Sequence, residues 1–120
     1  MNKKTLVLGA STNEERYSYL AIKQLRKYNH SVVAIGNKKG VIGDVEIGIE
    51  TPQIEGIDTV TLYLSPKNQI DYYNYILSLQ PKRIIFNPAT ENDELFEMAR
   101  KSGIETIEAC TLVLLSTNQY

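Results

Sequence analysis

Short apolar runs alternate along the chain with longer amphipathic stretches, a pattern that predicts an α/β fold with a parallel sheet between two helical layers. The first run, Thr5 to Leu8, passes through Gly9-Ala10-Ser11-Thr12-Asn13 into a helical pattern. That helix is expected from Ser18 to Tyr28, with Leu20, Ala21, Gln24 and Leu25 near its packing stripe and Asn29-His30 ending it. Ser31 to Ile35 reads as a buried second strand, and Gly36 to Gly43 as a loop holding Lys38 and Lys39. A short extra strand is expected from Asp44 to Ile49, before the Thr51-Pro52 break. Asp58 to Leu64 is the third parallel strand, and Ser65-Pro66 opens a helix with proline in its first turn. Lys82 to Phe86 is the fourth strand, Asp93 to Ser102 a helix stopped by Gly103, Ile104 to Ile107 the fifth strand, and a last apolar helix runs through Leu115. One domain over 1–120 is expected, with a five-stranded, mainly parallel sheet in the order 3-2-1-4-5. Its ligand crevice would lie at the carboxyl ends, where the first and fourth strands diverge.

A strand that runs through glycine and small hydroxylated residues into a helix presents backbone N–H groups to phosphate. The turn at 9–18 therefore points to a nucleotide-like ligand, although the full GxGxxG fingerprint is absent. Gly9 would allow close approach of a pyrophosphate, Ser11 and Asn13 would donate hydrogen bonds, and the planar fork of Arg16 would clamp phosphate oxygens. The same residues also suit a plain capped helix start with Arg16 in solvent. The end of the second strand narrows the ligand class. NAD sites place a carboxylate there to hold ribose hydroxyls, whereas this chain has Gly36-Asn37-Lys38-Lys39, which suits a phosphorylated ribose. Coenzyme A, with its 3′-phosphorylated ADP, fits better than NAD, and NADP fits as well.

Composition bounds the rest. With 120 residues there is room for one modest core, and 13 basic against 14 acidic side chains give a net charge of −1. No global field exists to hold nucleic acid or an anionic membrane. No apolar stretch approaches the roughly 20 residues of a membrane span, and the Asn2-Lys3-Lys4 start lacks a signal-peptide core. A cytoplasmic location is the expectation. Cys110 is the single cysteine, so it forms no disulfide within the chain; it reads as a small apolar residue, with reactivity toward the thiol of CoA as the alternative. His30 is the single histidine and lies at a helix-to-strand turn, so no Ser-His-acid triad or metal-ligand cluster can be assembled at the crevice. Tyr72, Tyr73 and Tyr75 read as core and rim, with no cofactor role.

Three separated motifs carry a family resemblance. Gly9-Ala10-Ser11 with Asn13, Arg16 and Ser18, then Ile85-Phe86-Asn87-Pro88-Ala89-Thr90-Glu91-Asn92, then Ala109-Cys110-Thr111-Leu112-Val113 together resemble the small bacterial CoA-binding domain proteins. These are stand-alone relatives of the Rossmann-like CoA-binding domain of the succinyl-CoA synthetase alpha subunit. The resemblance implies a Rossmann-like fold that binds CoA or an acyl-CoA. By position, Gly9, Ala10, Ser11, Asn13, Arg16 and Ser18 would cradle phosphates, and Asn37, Lys38 and Lys39 would meet the adenosine end. Ser65, Pro66, Asn87, Pro88, Ala89, Thr90 and Glu91 would line the pantetheine side. The chain departs from the family pattern at Ala89, where glycine is usual; if that position needs a positive φ, alanine strains the loop. The phosphorylated histidine of the synthetases belongs to a second domain that is not represented here. Binding without catalysis is therefore the leading expectation, and no protein partner is identified. The alternatives are a small NADP-dependent oxidoreductase or redox sensor, and an interaction module that kept the fold with weak or no ligand affinity.

Overall fold

The computed structural model describes residues 2–120 and shows a mostly parallel sheet between two layers of helices. The chain runs through β1 (Thr5–Leu8), α1 (Tyr17–Lys27), β2 (Val32–Ile35), β3 (Gly40–Ile42), β4 (Val45–Gly48) and β5 (Thr59–Leu62). It continues through α2 (Pro66–Gln69), a 3-10 turn (Ile70–Tyr72), α3 (Tyr73–Ser78), β6 (Arg83–Phe86), α4 (Asp93–Lys101), β7 (Glu105–Glu108) and α5 (Thr111–Ser116).

Alternation within each central strand divides the core in two, because successive strand side chains point to opposite faces. Leu6 and Leu8 join Val60, Leu62, Ile84 and Phe86 beneath α3 and α4, where Ile76, Leu95 and Ala99 close the packing. Val7 points the other way and meets Ala34 and Ile47 beneath Ile22 and Leu25 of α1 and Leu115 of α5. Each fully buried Leu, Ile or Phe contributes roughly 1.5–3 kcal/mol. α1 thus buries Ala21, Ile22 and Leu25, and leaves Leu20 exposed at 40%.

The sheet has seven strands rather than five, in the order β3-β4-β2-β1-β5-β6-β7. Two local causes account for the difference. Residues 40–42, expected as loop, form β3, because Val41 and Ile42 alternate outward and inward and Gly43, at φ 58, makes a two-residue turn into β4. The hairpin then lays Ile47 and Gly48 parallel to Ala34 and Ile35, filling the place beside β2 that had been expected for Thr59–Leu62. With that edge taken, β5 pairs with β1 on its other side, register Thr5 with Thr59 through Leu8 with Leu62. The switch point therefore lies between β1 and β5, not between the first strand and the strand at 83–86, which pairs with β5. The helix after Pro66 is also interrupted, its middle turn tightening to 3-10 geometry over Ile70–Tyr72.

Candidate functional site

Glycines compress the loops at the carboxyl end of the sheet against one another. Gly9 has φ 94, and a methyl group on it would sit 2.8 Å from the Tyr63 carbonyl. A methyl group on Gly36 would lie 2.2 Å from the Ala10 carbonyl oxygen, and one on Gly40 would lie 2.4 Å from Thr12 Cγ2. The space freed at Gly9 is therefore occupied by the protein's own main chain, which brings the β1–α1 turn against the loop after β5. The Gly9 and Ala10 N–H groups both donate to Ile35 O, at 2.9 and 3.0 Å, tying the turn to the end of β2 as well.

A cleft of about 570 Å³ opens where these three loops meet. Gly9, Ala10, Ser11 and Arg16 line it from the first turn, Gly36 and Asn37 from the end of β2, and Tyr63, Leu64, Ser65, Asn68, Asp71 and Tyr72 from the segment after β5. Ser11 and Asn13 shape the turn: Ser11 Oγ accepts from Asn13 N, and Asn13 Oδ1 accepts from Glu15 N, both at 3.0 Å. The N–H groups of Ser11, Thr12 and Glu14 make no hydrogen bond among the described residues. Arg16 stands at the N-cap of α1, exposed, and no acidic side chain pairs with it among the described residues. Donors without partners at a helix start suit the diphosphate of a nucleotide ligand.

Of the residues expected at the ligand, Gly9, Ala10, Ser11, Arg16, Asn37 and Ser65 share this cleft. Ser18 is buried within α1, and Pro66 begins α2. Lys38 and Lys39 are exposed on the β2–β3 connection, where Lys39 lines a neighbouring groove over β2, β3 and β4. The 87–91 loop is mainly a clamp. Asn87 is 2% exposed; its Nδ2 donates to Thr61 Oγ1 at 2.7 Å and Leu62 O at 2.8 Å, and its Oδ1 accepts from Thr111 N at 2.9 Å. Buried Thr90 donates to Asn87 O at 2.7 Å, and buried Gln69 donates to both Leu64 O and Thr90 O. Pro88, Ala89 and Glu91 are exposed, and Ala89 holds φ 74, so the condition under which alanine strains the position where glycine is usual is met.

The tyrosines divide into core and rim: Tyr73 and Tyr75 are buried, while Tyr72 packs partly against the core and also lines the cleft. Asn68 and Asp71 were not singled out. The available signal was their spacing with Tyr72, at i, i+3 and i+4 after the strand end, which puts all three on one helical face. Tyr63 has a buried hydroxyl with no hydrogen-bond partner among the described residues. Burial pushes its pKa up, and the nearby Thr111 and Thr61 hydroxyls, which bond each other at 2.8 Å, offset part of that shift. Cys110 is partly buried at the N-cap of the six-residue α5. His30 is buried away from the cleft, where Nδ1 accepts from Lys3 N at 2.9 Å and the ring meets that of Tyr120 at 4.9 Å. No group of three or more metal-ligating side chains occurs among the described residues, and no described helix is long and apolar enough to cross a membrane.

A mostly parallel sheet with a donor-lined cleft at its switch point is the arrangement of the Rossmann-like α/β class, in which ligands sit at that crevice. A family model described as "CoA binding domain" matches residues 3–116. The chain therefore belongs to the CoA-binding domain family. Among solved structures, an uncharacterized protein is 52% identical, with a TM-score of 0.97 over 100% of this chain and 99% of its own. A hypothetical protein from Pyrococcus horikoshii OT3 is 22% identical, with a TM-score of 0.87 over 97% of this chain and 83% of its own. A Thermus thermophilus protein is 18% identical, with a TM-score of 0.86 over 99% of this chain and 91% of its own. These last two show the fold. No curated protein matches.

Proposed function

We propose that the chain binds coenzyme A or an acyl-CoA through its nucleotide portion and performs no catalysis of its own. The observation that carries this reading is Arg16, without an acidic partner among the described residues, beside the unbonded N–H groups of the first turn. The ligand supplies a diphosphate, and Arg16 with the turn would hold it by charge-assisted hydrogen bonds. Asn37 stands at the end of β2, where an NAD site places its carboxylate, and the exposed Lys38 and Lys39 that follow it would meet a phosphorylated ribose extending from the cleft. Ser65 opens the side from which the pantetheine arm would leave, and Pro66 fixes the start of the helix there.

The absence of turnover is part of the proposal. The only histidine is buried against Lys3 and Tyr120, away from the cleft, so the acids near the cleft have no imidazole beside them, and no group of three or more metal-ligating side chains lies among the described residues. A thermal-shift series with CoA, acetyl-CoA, NAD and NADP tests the reading, since a ligand that binds only the native state raises its stability. CoA and acetyl-CoA are expected to raise the melting temperature more than either dinucleotide. A larger shift with NAD or NADP would overturn the ligand assignment, and hydrolysis of acetyl-CoA above its spontaneous rate would overturn the non-catalytic part.

A further inference from the structure

A sheet of parallel strands is normally covered on both faces, and here one face is left bare at one edge. α3 and α4 close that face over β1, β5 and β6, but residues 49–58, which join β4 to β5, contain no helix to extend the cover. A groove of about 820 Å³ runs there, lined by Val33 of β2, Val41 of β3, Glu46 and Gly48 of β4, and Ile49 and Glu50 beyond them. Val41 is 62% exposed and Ile49 48% exposed, so apolar surface is presented to solvent where a layer of the fold is missing.

Strand register makes this groove complementary to itself. Val41 pairs with Glu46, and Ala34 with Ile47, so Val41, Glu46 and Val33 form one row across the open face. In the next row on that face, Lys39 stands just before β3, then Gly48 and Ile35. Gly48 is a hole, since a methyl group on it would meet nothing within 4 Å. Lys39, Glu46 and Glu50 are exposed and form no ion pair among the described residues. A two-fold axis running along the strands between β3 and β4 lays each β3 over the partner's β4. Val41 of each copy then settles between the partner's Val41 and the partner's Val33, and Lys39 enters the hole above the partner's Gly48, beside the partner's Glu46. The apolar knob, the hole and both signs of charge belong to one patch, as a contact between identical surfaces requires, whereas a face of a single sign would repel its copy. We propose that the open face of β2, β4 and β3 is the contact surface of a symmetric dimer of this chain, each copy laying its β3 edge in the partner's groove.

Sedimentation equilibrium of the ligand-free protein tests it, without coenzyme because a ribose phosphate would draw Lys39 away from the partner. The wild type is expected to dimerise with a Kd below about 100 μM. Val41→Asp, Glu46→Lys and Lys39→Glu should each weaken association roughly tenfold or more, by placing a charge in the apolar row or like charges across the contact. The double variant Lys39→Glu with Glu46→Lys re-forms the pair with reversed signs and should associate more tightly than either single charge reversal. These side chains are exposed, and thermal melts of each variant verify folding. A wild type that is monomeric at that concentration, a dimer that Val41→Asp leaves intact, or a double variant no tighter than its singles overturns the proposal. CoA affinity does not enter the measurement, so a failure of the coenzyme reading leaves this result standing.

Discussion

Replacing Asn87 with alanine separates a ligand residue from a structural one. Its side chain joins β5, β6 and the start of α5 through three hydrogen bonds, and it is 2% exposed. Removing it strands the Thr111 N–H and takes one donor from the Leu62 carbonyl, while the Thr61 hydroxyl still bonds Thr111 Oγ1 at 2.8 Å. A stranded buried donor costs about 1–3 kcal/mol, and the other lost bonds add about 1 kcal/mol each. The expected loss is thus about 3–5 kcal/mol, a large share of the roughly 5–15 kcal/mol that holds a domain together. Asn87→Asp keeps the shape and the acceptor for Thr111, but turns an acceptor toward Leu62 O and Thr61; it should destabilise at least as much at neutral pH. Urea unfolding followed by far-ultraviolet circular dichroism measures both, with the midpoint falling and the slope unchanged. The reasoning fails if Asn87→Ala stays within 1 kcal/mol of wild type yet loses tenfold or more in CoA affinity, for the side chain would then serve the ligand.

Arg16→Ala should weaken CoA by about 1.5–3 kcal/mol in calorimetric titration with the melting temperature of the free protein unchanged, and undiminished affinity would return Arg16 to the role of a solvated surface residue. Ala89→Gly should stabilise by about 0.5–1 kcal/mol, because the left-handed conformation costs an L-residue roughly 1–2 kcal/mol and glycine's extra unfolded freedom removes about 0.5–1 kcal/mol of that gain. A fall in melting temperature for that variant would show that Ala89 is not strained. Burial first, then the positive charges of Lys3 and Arg83, hold the His30 pKa below its ordinary 6.5, with Asp58 opposing. The unfolded chain therefore binds the proton more readily, so this stability is complete above pH 6.5 and declines as pH falls toward the lower folded value. His30→Gln should flatten that decline in urea midpoints measured across the interval; an unchanged slope would assign the pH dependence to other groups.

The strands were legible because Leu6 to Leu8, Val32 to Ile35 and Ile84 to Phe86 are continuous apolar runs of strand length, and the first-turn residues were legible because small residues between a strand and a helix have few other uses. The sheet order was not. Whether 45–48 or 59–62 lies beside β2 depends on a hairpin whose inward residues are Ile42, Val45 and Ile47; a strand over 44–49 is legible, but its hairpin partner over 40–42 lies in a glycine-flanked segment that reads equally well as loop. Residues that look alike in the sequence also diverge in space. Asn37 reaches the cleft and Asn87 is spent inside the fold; Tyr72 lines the cleft and Tyr73 one position later is core. Such differences depend on which neighbour consumes a hydrogen bond or covers a ring, information that resides in long-range contacts rather than in local spacing. The Ala89 conformation was legible only as a condition, since a departure from glycine marks where a left-handed backbone could be required without showing that it is.

The close approaches at Gly9 and Gly36 bear on how this cleft can be altered. At Gly9 and Gly36 its floor is poured from main chain, so exchanging side chains cannot widen it there, and adding one at either position would prise the loops apart before touching a ligand. Affinity and selectivity are accordingly adjustable from the walls alone, at Arg16, Asn37, Asn68, Asp71 and Tyr72. A library confined to those five positions would vary what is gripped while the mould that receives the phosphates keeps its shape.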